Sequence, residues 1–185
     1  MKQSASTHAI DIAGLHRDLA LFEVAPGTRI AVLNVLGDTE LVEAAATALA
    51  ERLKVVDYRV LVTAEAKSIP LIHALSVVTG KPYVVLRKNY KPYMGDALEA
   101  ETLSITTGKP QTLFLDAKDR DLVSDAPIVL VDDVISSGST LEAMRTIMDK
   151  AGATIAAQAA ILTEGDRENW RDVIALGHLP IFTDA

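Results

Sequence analysis

The chain has 185 residues, 49% of them hydrophobic, enough for one sizeable core and short for two, so a single α/β domain over residues 1–185 is expected. It has no cysteine, which excludes disulfides, thiolate chemistry and a cysteine-based zinc site, and its four histidines, His8, His16, His73 and His178, form no i,i+4 pair suited to a metal. A formal net charge of −7 argues against a broad nucleic-acid-binding face, and the sequence has neither the apolar core of a signal peptide nor a run long enough to span a bilayer. A cytoplasmic chain with no nucleic-acid or membrane partner is the expectation, and an anionic ligand must be captured locally.

In chain order, Ile12, Leu15, Leu19 and Phe22 recur at helix-like spacing between Ile10 and Phe22, interrupted by Gly14, and predict a small N-terminal element. Pro26-Gly27 is a turn, and Arg29 to Leu36 is an apolar run that predicts a strand. Asp38 or Thr39 then caps an Ala-rich helix through Leu53. Arg59 to Thr63 predicts a second, buried strand. A short loop, Glu65-Ala66-Lys67-Ser68, leads into a helix from Ile69 to Val78 that Gly80 closes.

Pro82 to Leu86 predicts the third strand, and it emerges into two adjacent cations, Arg87 and Lys88. Two cations at the end of a buried strand are costly unless they face solvent or an anion. From Asn89 to Pro110 the chain makes a long excursion in which Thr102 to Thr106 and Gln111 to Leu115 flank a Thr-Gly-Lys turn, the pattern of a mobile hairpin. Such segments commonly act as lids that exclude water.

Ile128 to Thr140 is the stretch around which the chain is organised. Ile128 to Val131 is an uninterrupted apolar run, the pattern of a parallel strand buried on both faces, and it leads into Asp132 and Asp133. Leu141, Met144, Ile147 and Met148 then recur at helical spacing. Between strand and helix, Ser136, Ser137, Gly138, Ser139 and Thr140 are small enough for backbone N–H groups to approach a phosphate, and their hydroxyls add donors at the positive end of the helix. The acids one step earlier would repel a phosphate and accept from sugar hydroxyls. A ribose 5-phosphate has that polarity. Loops at the carboxyl ends of parallel strands share one crevice, so the Glu65 to Ser68 loop should face this one. Beyond it, Thr154 to Leu162 predicts a strand and Glu164 to Arg167 a turn. Trp170 and Phe182 are aromatic residues suited either to stacking on a ligand or to the core.

The segment Val-Leu-Val-Asp-Asp-Val-Ile-Ser-Ser-Gly-Ser-Thr resembles the phosphoribosyl diphosphate (PRPP) motif of the type I phosphoribosyltransferases. The resemblance extends from about Asp38 to Phe182 and implies that family's fold: a central parallel sheet flanked by helices, a flexible hairpin lid and a small hood from the terminal segments. It implies that Asp132 and Asp133 bind the ribose hydroxyls and that Ser136 to Thr140 hold the 5′-phosphate. Glu65-Ala66-Lys67-Ser68 is similar to the diphosphate loop of the adenine and xanthine enzymes, with Lys67 where the adenine enzymes carry Arg; Arg87-Lys88 matches a pair in which Lys serves the diphosphate and catalysis and Arg lies near a dimer interface. A homodimer and Mg²⁺ bound with the diphosphate are implied as well. The tail from Val173 to Phe182 is similar to the segment that completes the base pocket.

Two departures bear on the chemistry. Many adenine enzymes carry Glu-Tyr in the hairpin where this chain has Thr106-Thr107, so that catalytic assignment does not carry over, and Glu101 is the substitute candidate. Ser136 stands where hypoxanthine-guanine enzymes have a catalytic Asp, which argues against that subclass. The expected function is transfer from PRPP to a purine, adenine first, with xanthine or another purine as the alternative. A non-catalytic PRPP-binding regulator and a phosphate-binding module of another nucleotide enzyme stay open.

Overall fold

The computed structural model describes residues 6–103 and 110–183 of the chain. Strands β1 (Thr7–Ile12) and β2 (Leu15–Ala25) pair antiparallel, with Ile12 opposite Leu15. Ala13 and Gly14 join them at φ values of 51° and 82°, the geometry a two-residue hairpin requires. The helix-like spacing between Ile10 and Phe22 is therefore a hairpin. Gly14, which broke the period, marks the turn, and of the four spaced residues only Ile12 and Leu19 are buried.

After the Pro26-Gly27 turn, β3 (Thr28–Val32) ends short of the expected Leu36, although Leu33 and Val35 beyond it are buried. Helix α1 (Thr39–Leu53) is capped by Asp38, whose carboxylate accepts from the Leu41 N–H at 3.1 Å. There follow β4 (Val60–Ala64), α2 (Ile69–Thr79), β5 (Tyr83–Leu86), β6 (Leu98–Leu103), β7 (Pro110–Leu115), α3 (Arg120–Val123), β8 (Pro127–Ile135), α4 (Ser139–Lys150), β9 (Thr154–Glu164), β10 (Val173–Leu179) and β11 (Phe182–Thr183). Gly80 closes α2 at φ 67°, a left-handed position that a residue with a side chain rarely takes.

A five-stranded parallel sheet in the order β10-β9-β8-β4-β5 forms the centre. A second sheet, β1-β2-β3-β11, joins the two ends of the chain into the expected hood. β6 and β7 pair as a separate antiparallel hairpin, starting at Leu98, earlier than the expected Thr102, and an antiparallel bridge from Arg87 to Phe114 ties it to the end of β5. Residues 104–109, where the Thr-Gly-Lys turn is expected and which include Thr106 and Thr107, lie outside the described residues.

The core has two layers, one on each face of the sheet. Leu61, Val129, Val131 and Ile161 pack against α1, α2 and the hood, whereas Val62, Ile128 and Leu130 pack against α4 and the hairpin. From β4 the chain crosses by α2 to β5; from β8 it crosses by α4 to β9, in the opposite direction along the sheet and over the opposite face. The carboxyl ends of β4 and β8 thus form a topological switch point, where open α/β sheets leave a crevice. Among the described residues no helix is long and apolar enough to cross a membrane.

The hood is clamped to α1 by Arg17 of β2, whose Nε and Nη2 donate to the two Asp38 carboxylate oxygens at 2.8 and 2.9 Å, with Nη2 also reaching Glu40 Oε2 at 2.9 Å. The guanidinium holds the Asp38 carboxyl below its ordinary value of 3.8. A depressed carboxylate contributes stability above that value and loses it as the pH falls through the lowered folded pKa. Arg17→Ala is therefore expected to melt at a lower temperature than wild type at pH 7, with the gap closing below pH 3.8; a gap that persists unchanged in acid would place the stabilisation elsewhere.

Candidate active site

Ile128 to Val131 of β8 are fully buried, as their apolar run requires. The strand does not stop at the acids. It continues through Asp132 and Asp133 to Ile135, which lies opposite Thr163 of β9. The pairing of Asp132 and Val134 with β9, on either side of Asp133, thus holds the backbone of both acids, and their side chains leave it in fixed directions.

Ser68, the residue before α2, joins the two carboxylates. Its buried hydroxyl donates to Asp132 Oδ1 at 2.7 Å, lies 3.2 Å from Asp133 Oδ1 and accepts from the Asp133 N–H at 3.0 Å. The Asp133 N–H also donates to Asp132 Oδ1 at 2.9 Å. One hydroxyl proton cannot satisfy two carboxylates, and Asp133 Oδ2 is buried with no protein partner. Burial, and then the neighbouring Asp133 charge, push the Asp132 carboxyl up to about 7. The pair is short of donors, a shortage that ligand hydroxyls would relieve.

Gly138 precedes α4 at φ 78°, a left-handed turn that brings the loop amides round to the helix N-terminus. Its missing side chain is needed a second time, since a Cβ there would lie 2.8 Å from Cη2 of Trp170. Asp132 and Ser136 to Thr140 line one polar cavity of about 30 Å³, so the first acid and the small-residue loop share a cleft. Trp170 packs on the rim of this loop and donates from Nε1 to the Glu164 carbonyl at 2.8 Å.

The loop after β4 closes the other side. Glu65 Oε2 accepts from Arg87 Nε at 2.7 Å, and Glu65 Oε1 accepts from the Lys88 N–H. Its carboxylate thereby binds the end of β5 to the loop. Ala66, Lys67 and Lys88 are exposed, and neither ammonium is ion-paired with another described residue. The Glu65-Ala66 peptide bond is cis.

Glu101 stands apart from the paired acids. It lines a cavity of about 620 Å³ on the α4 side, with Ser137, Gly138, Ser139 and Glu142. Thr163, Arg167, Trp170 and His178 line a further cavity of about 300 Å³, which Trp170 connects to the Ser136 to Thr140 loop. Of these four, the sequence offers Trp170 by its ring and His178 only as part of the Val173 to Phe182 tail; Thr163 meets His178 through the β9–β10 pairing, and a parallel register leaves no local signature.

Residues 36–175 match the family model described as the phosphoribosyl transferase domain. The hypoxanthine/guanine phosphoribosyltransferase of Methanococcus maripaludis strain C5 is 32% identical over 119 residues, covering 63% of this chain and 60% of that protein. The one from Methanotorris igneus is 33% identical over 106 residues, covering 57% and 54%. The chain thus matches less than two thirds of the length of these relatives. Among solved structures, the adenine phosphoribosyltransferase of Thermoanaerobacter pseudethanolicus superposes with a TM-score of 0.65 at 18% identity, covering 94% of this chain and 95% of that one. The enzyme of Giardia lamblia complexed with 9-deazaadenine gives 0.67 at 17%, covering 93% of each. At such identities the likeness shows the fold.

A carboxyl raised by folding stabilises the protein below its unfolded pKa and loses that contribution as pH rises through the folded value. For Asp132 the window runs from 3.8 to about 7. Asp132→Asn is expected to remove this decline and to be more stable than wild type at pH 7.5 by about 1–2 kcal/mol, read by urea unfolding without ligand. A variant less stable than wild type throughout that range would mean that the pair is not under strain.

Proposed function

The chain belongs to the phosphoribosyl transferase family, and from that premise we propose that it is a purine phosphoribosyltransferase, joining a purine base to C1 of PRPP and releasing diphosphate. The observation that carries the reading is the single cavity shared by Asp132 and the Ser136 to Thr140 loop. A ligand with hydroxyls at one end and a phosphate at the other fits that order of groups.

Asp132 and Asp133 accept the ribose 2′ and 3′ hydroxyls and so gain the donors that Ser68 alone cannot supply. The amides of Ser137 to Thr140, at the start of a 12-residue helix, take the 5′-phosphate. Lys67, Lys88 and the Ala66 to Ser68 backbone receive the diphosphate. Glu65 serves as a positioning residue, since its carboxylate holds Arg87 and the Lys88 amide and would itself repel a diphosphate. In the transfer, the bond from C1 to the diphosphate oxygen breaks and its electron pair leaves with the diphosphate. A ring nitrogen of the base supplies the pair for the new C1–N bond and gives up its proton to the medium. The protein's contribution is positioning and charge stabilisation of the leaving group.

Mg²⁺ fits this arrangement as an ion carried largely by the substrate. Among the described residues no group of three or more His, Asp or Glu could hold it alone, whereas the partnerless Asp133 Oδ2 gives the acidic pair spare acceptor capacity. When bound, Mg²⁺ neutralises diphosphate charge. A homodimer enters the proposal through the Arg87-Lys88 resemblance. Adenine, the first choice from the sequence, is the base named for the similar solved structures, whereas the curated relatives are named for hypoxanthine and guanine.

Incubation with PRPP, Mg²⁺ and each of adenine, hypoxanthine, guanine and xanthine is expected to release diphosphate and yield a nucleotide with at least one base. Binding of PRPP with no base consumed would leave a PRPP-binding regulator in place of the enzyme. Absence of PRPP binding would overturn the proposal.

A further inference from the structure

On the transferase reading, the sheet order offers a place for the base. Phosphate loop and acids lie at the ends of β8 and β4, and the diphosphate residues lie towards β5, so the free side of the crevice is towards β9 and β10. There the cavity of about 300 Å³ opens, within the size range of small-ligand pockets. Thr163, on its wall, faces Ile135 across the β8–β9 ladder, one residue before the phosphate loop, and Trp170 reaches from the same wall to Gly138.

The polarity of that wall is fixed by His178. Its Nε2 lies 3.0 Å from the Gly165 carbonyl oxygen, which only accepts, so Nε2 carries a proton. Its Nδ1 lies 2.9 Å from Thr163 Oγ1. Burial, and then the Arg167 charge, lower the His178 pKa, against the opposing Gly165 carbonyl and Asp166. The ring is neutral, Nδ1 is bare, and the Thr163 hydroxyl donates to it. A hydroxyl can ordinarily turn to donate or accept; this one has committed its proton and offers a ligand only lone pairs. Arg167, on the same wall, offers only donors.

We propose that this wall, a hydroxyl locked as an acceptor beside a guanidinium, makes the site select a 6-oxopurine over adenine. The inference rests on the phosphoribosyltransferase reading and names the base class for that same site, reversing the expectation of adenine and the weight given to Ser136 against a 6-oxopurine. In a 6-oxopurine, a ring N–H stands next to a carbonyl: the N–H meets Thr163 Oγ1, and the carbonyl takes a charge-assisted hydrogen bond from Arg167. Adenine carries an amino group and a bare nitrogen at these positions. Its amino protons would face the guanidinium, and its bare nitrogen would face a hydroxyl that has no proton to give. Trp170 supplies an aromatic wall with no preference between the two classes.

The test is kcat/KM for hypoxanthine, guanine, xanthine and adenine, with PRPP and Mg²⁺, in wild type, Thr163→Val, Thr163→Ser and Arg167→Gln. The best 6-oxopurine is expected to exceed adenine by about tenfold or more in wild type. Thr163→Val should bring the ratio towards parity, mainly through KM for the oxopurine, Thr163→Ser should restore it, and Arg167→Gln, at an exposed position, should raise KM for the oxopurine more than for adenine. Adenine used as well as or better than every oxopurine, or a ratio that Thr163→Val and Arg167→Gln both leave unchanged, would overturn the inference while the transferase reading stands. Failure to consume any base would overturn both.

Discussion

Two neighbouring carboxylates share one serine hydroxyl where the connections of the parallel sheet reverse direction. Asp132 and Asp133 on β8 both turn to Ser68 at the start of α2, with too few donors between them and a buried oxygen left over. In a free protein this arrangement is unfavourable, since burial and mutual repulsion resist the second charge. On the proposed reading, ribose hydroxyls would relieve both difficulties by donating to the pair, so the feature that weakens the empty protein would favour the occupied one.

The rest of the fold holds that crowding in place. β4 and β8 are adjacent, and every residue of β4 is buried, so the loops that follow the two strands have little freedom to separate. Because α2 and α4 leave the switch point over opposite faces, their first residues approach the crevice from either side. Ser68 comes from one and the Ser136 to Thr140 loop from the other. Glu65 fastens the end of β5 to the same loop, and the Arg87–Phe114 bridge fastens the hairpin to β5. At the other end of the sheet, Thr163 and His178 pair across β9 and β10, which places them beside the Ser136 to Thr140 loop that follows the neighbouring strand β8.

Much of this could be read from the residues. The buried strands, the Asp38 cap and the Gly80 stop all follow from local patterns with a physical cause, and each is present; the loop after β4 meets the acids of β8 through Ser68. The start of the chain was less legible, because apolar residues three and four apart also occur when a hairpin's two strands are laid end to end; the positive φ at Ala13 and Gly14 decides the matter, and spacing does not report it. The extension of β8 through its acids was hidden for a different reason. Charged residues usually signal the end of a strand, whereas here the ladder with β9 continues past them. The wall made by Thr163, Arg167 and His178 depends on a long-range register and on the tautomer of one imidazole, and neither leaves a trace in the order of amino acids.

The most direct measurement is calorimetric titration of PRPP with Mg²⁺ into wild type and into the double variant Asp132→Asn, Asp133→Asn, with thermal melting to verify that both are folded. Loss of ligand hydroxyl contacts to the two acids should weaken binding by roughly tenfold to a hundredfold in a variant that still melts cooperatively. Equal affinity in the two proteins would contradict the assignment of the acidic pair to the ribose.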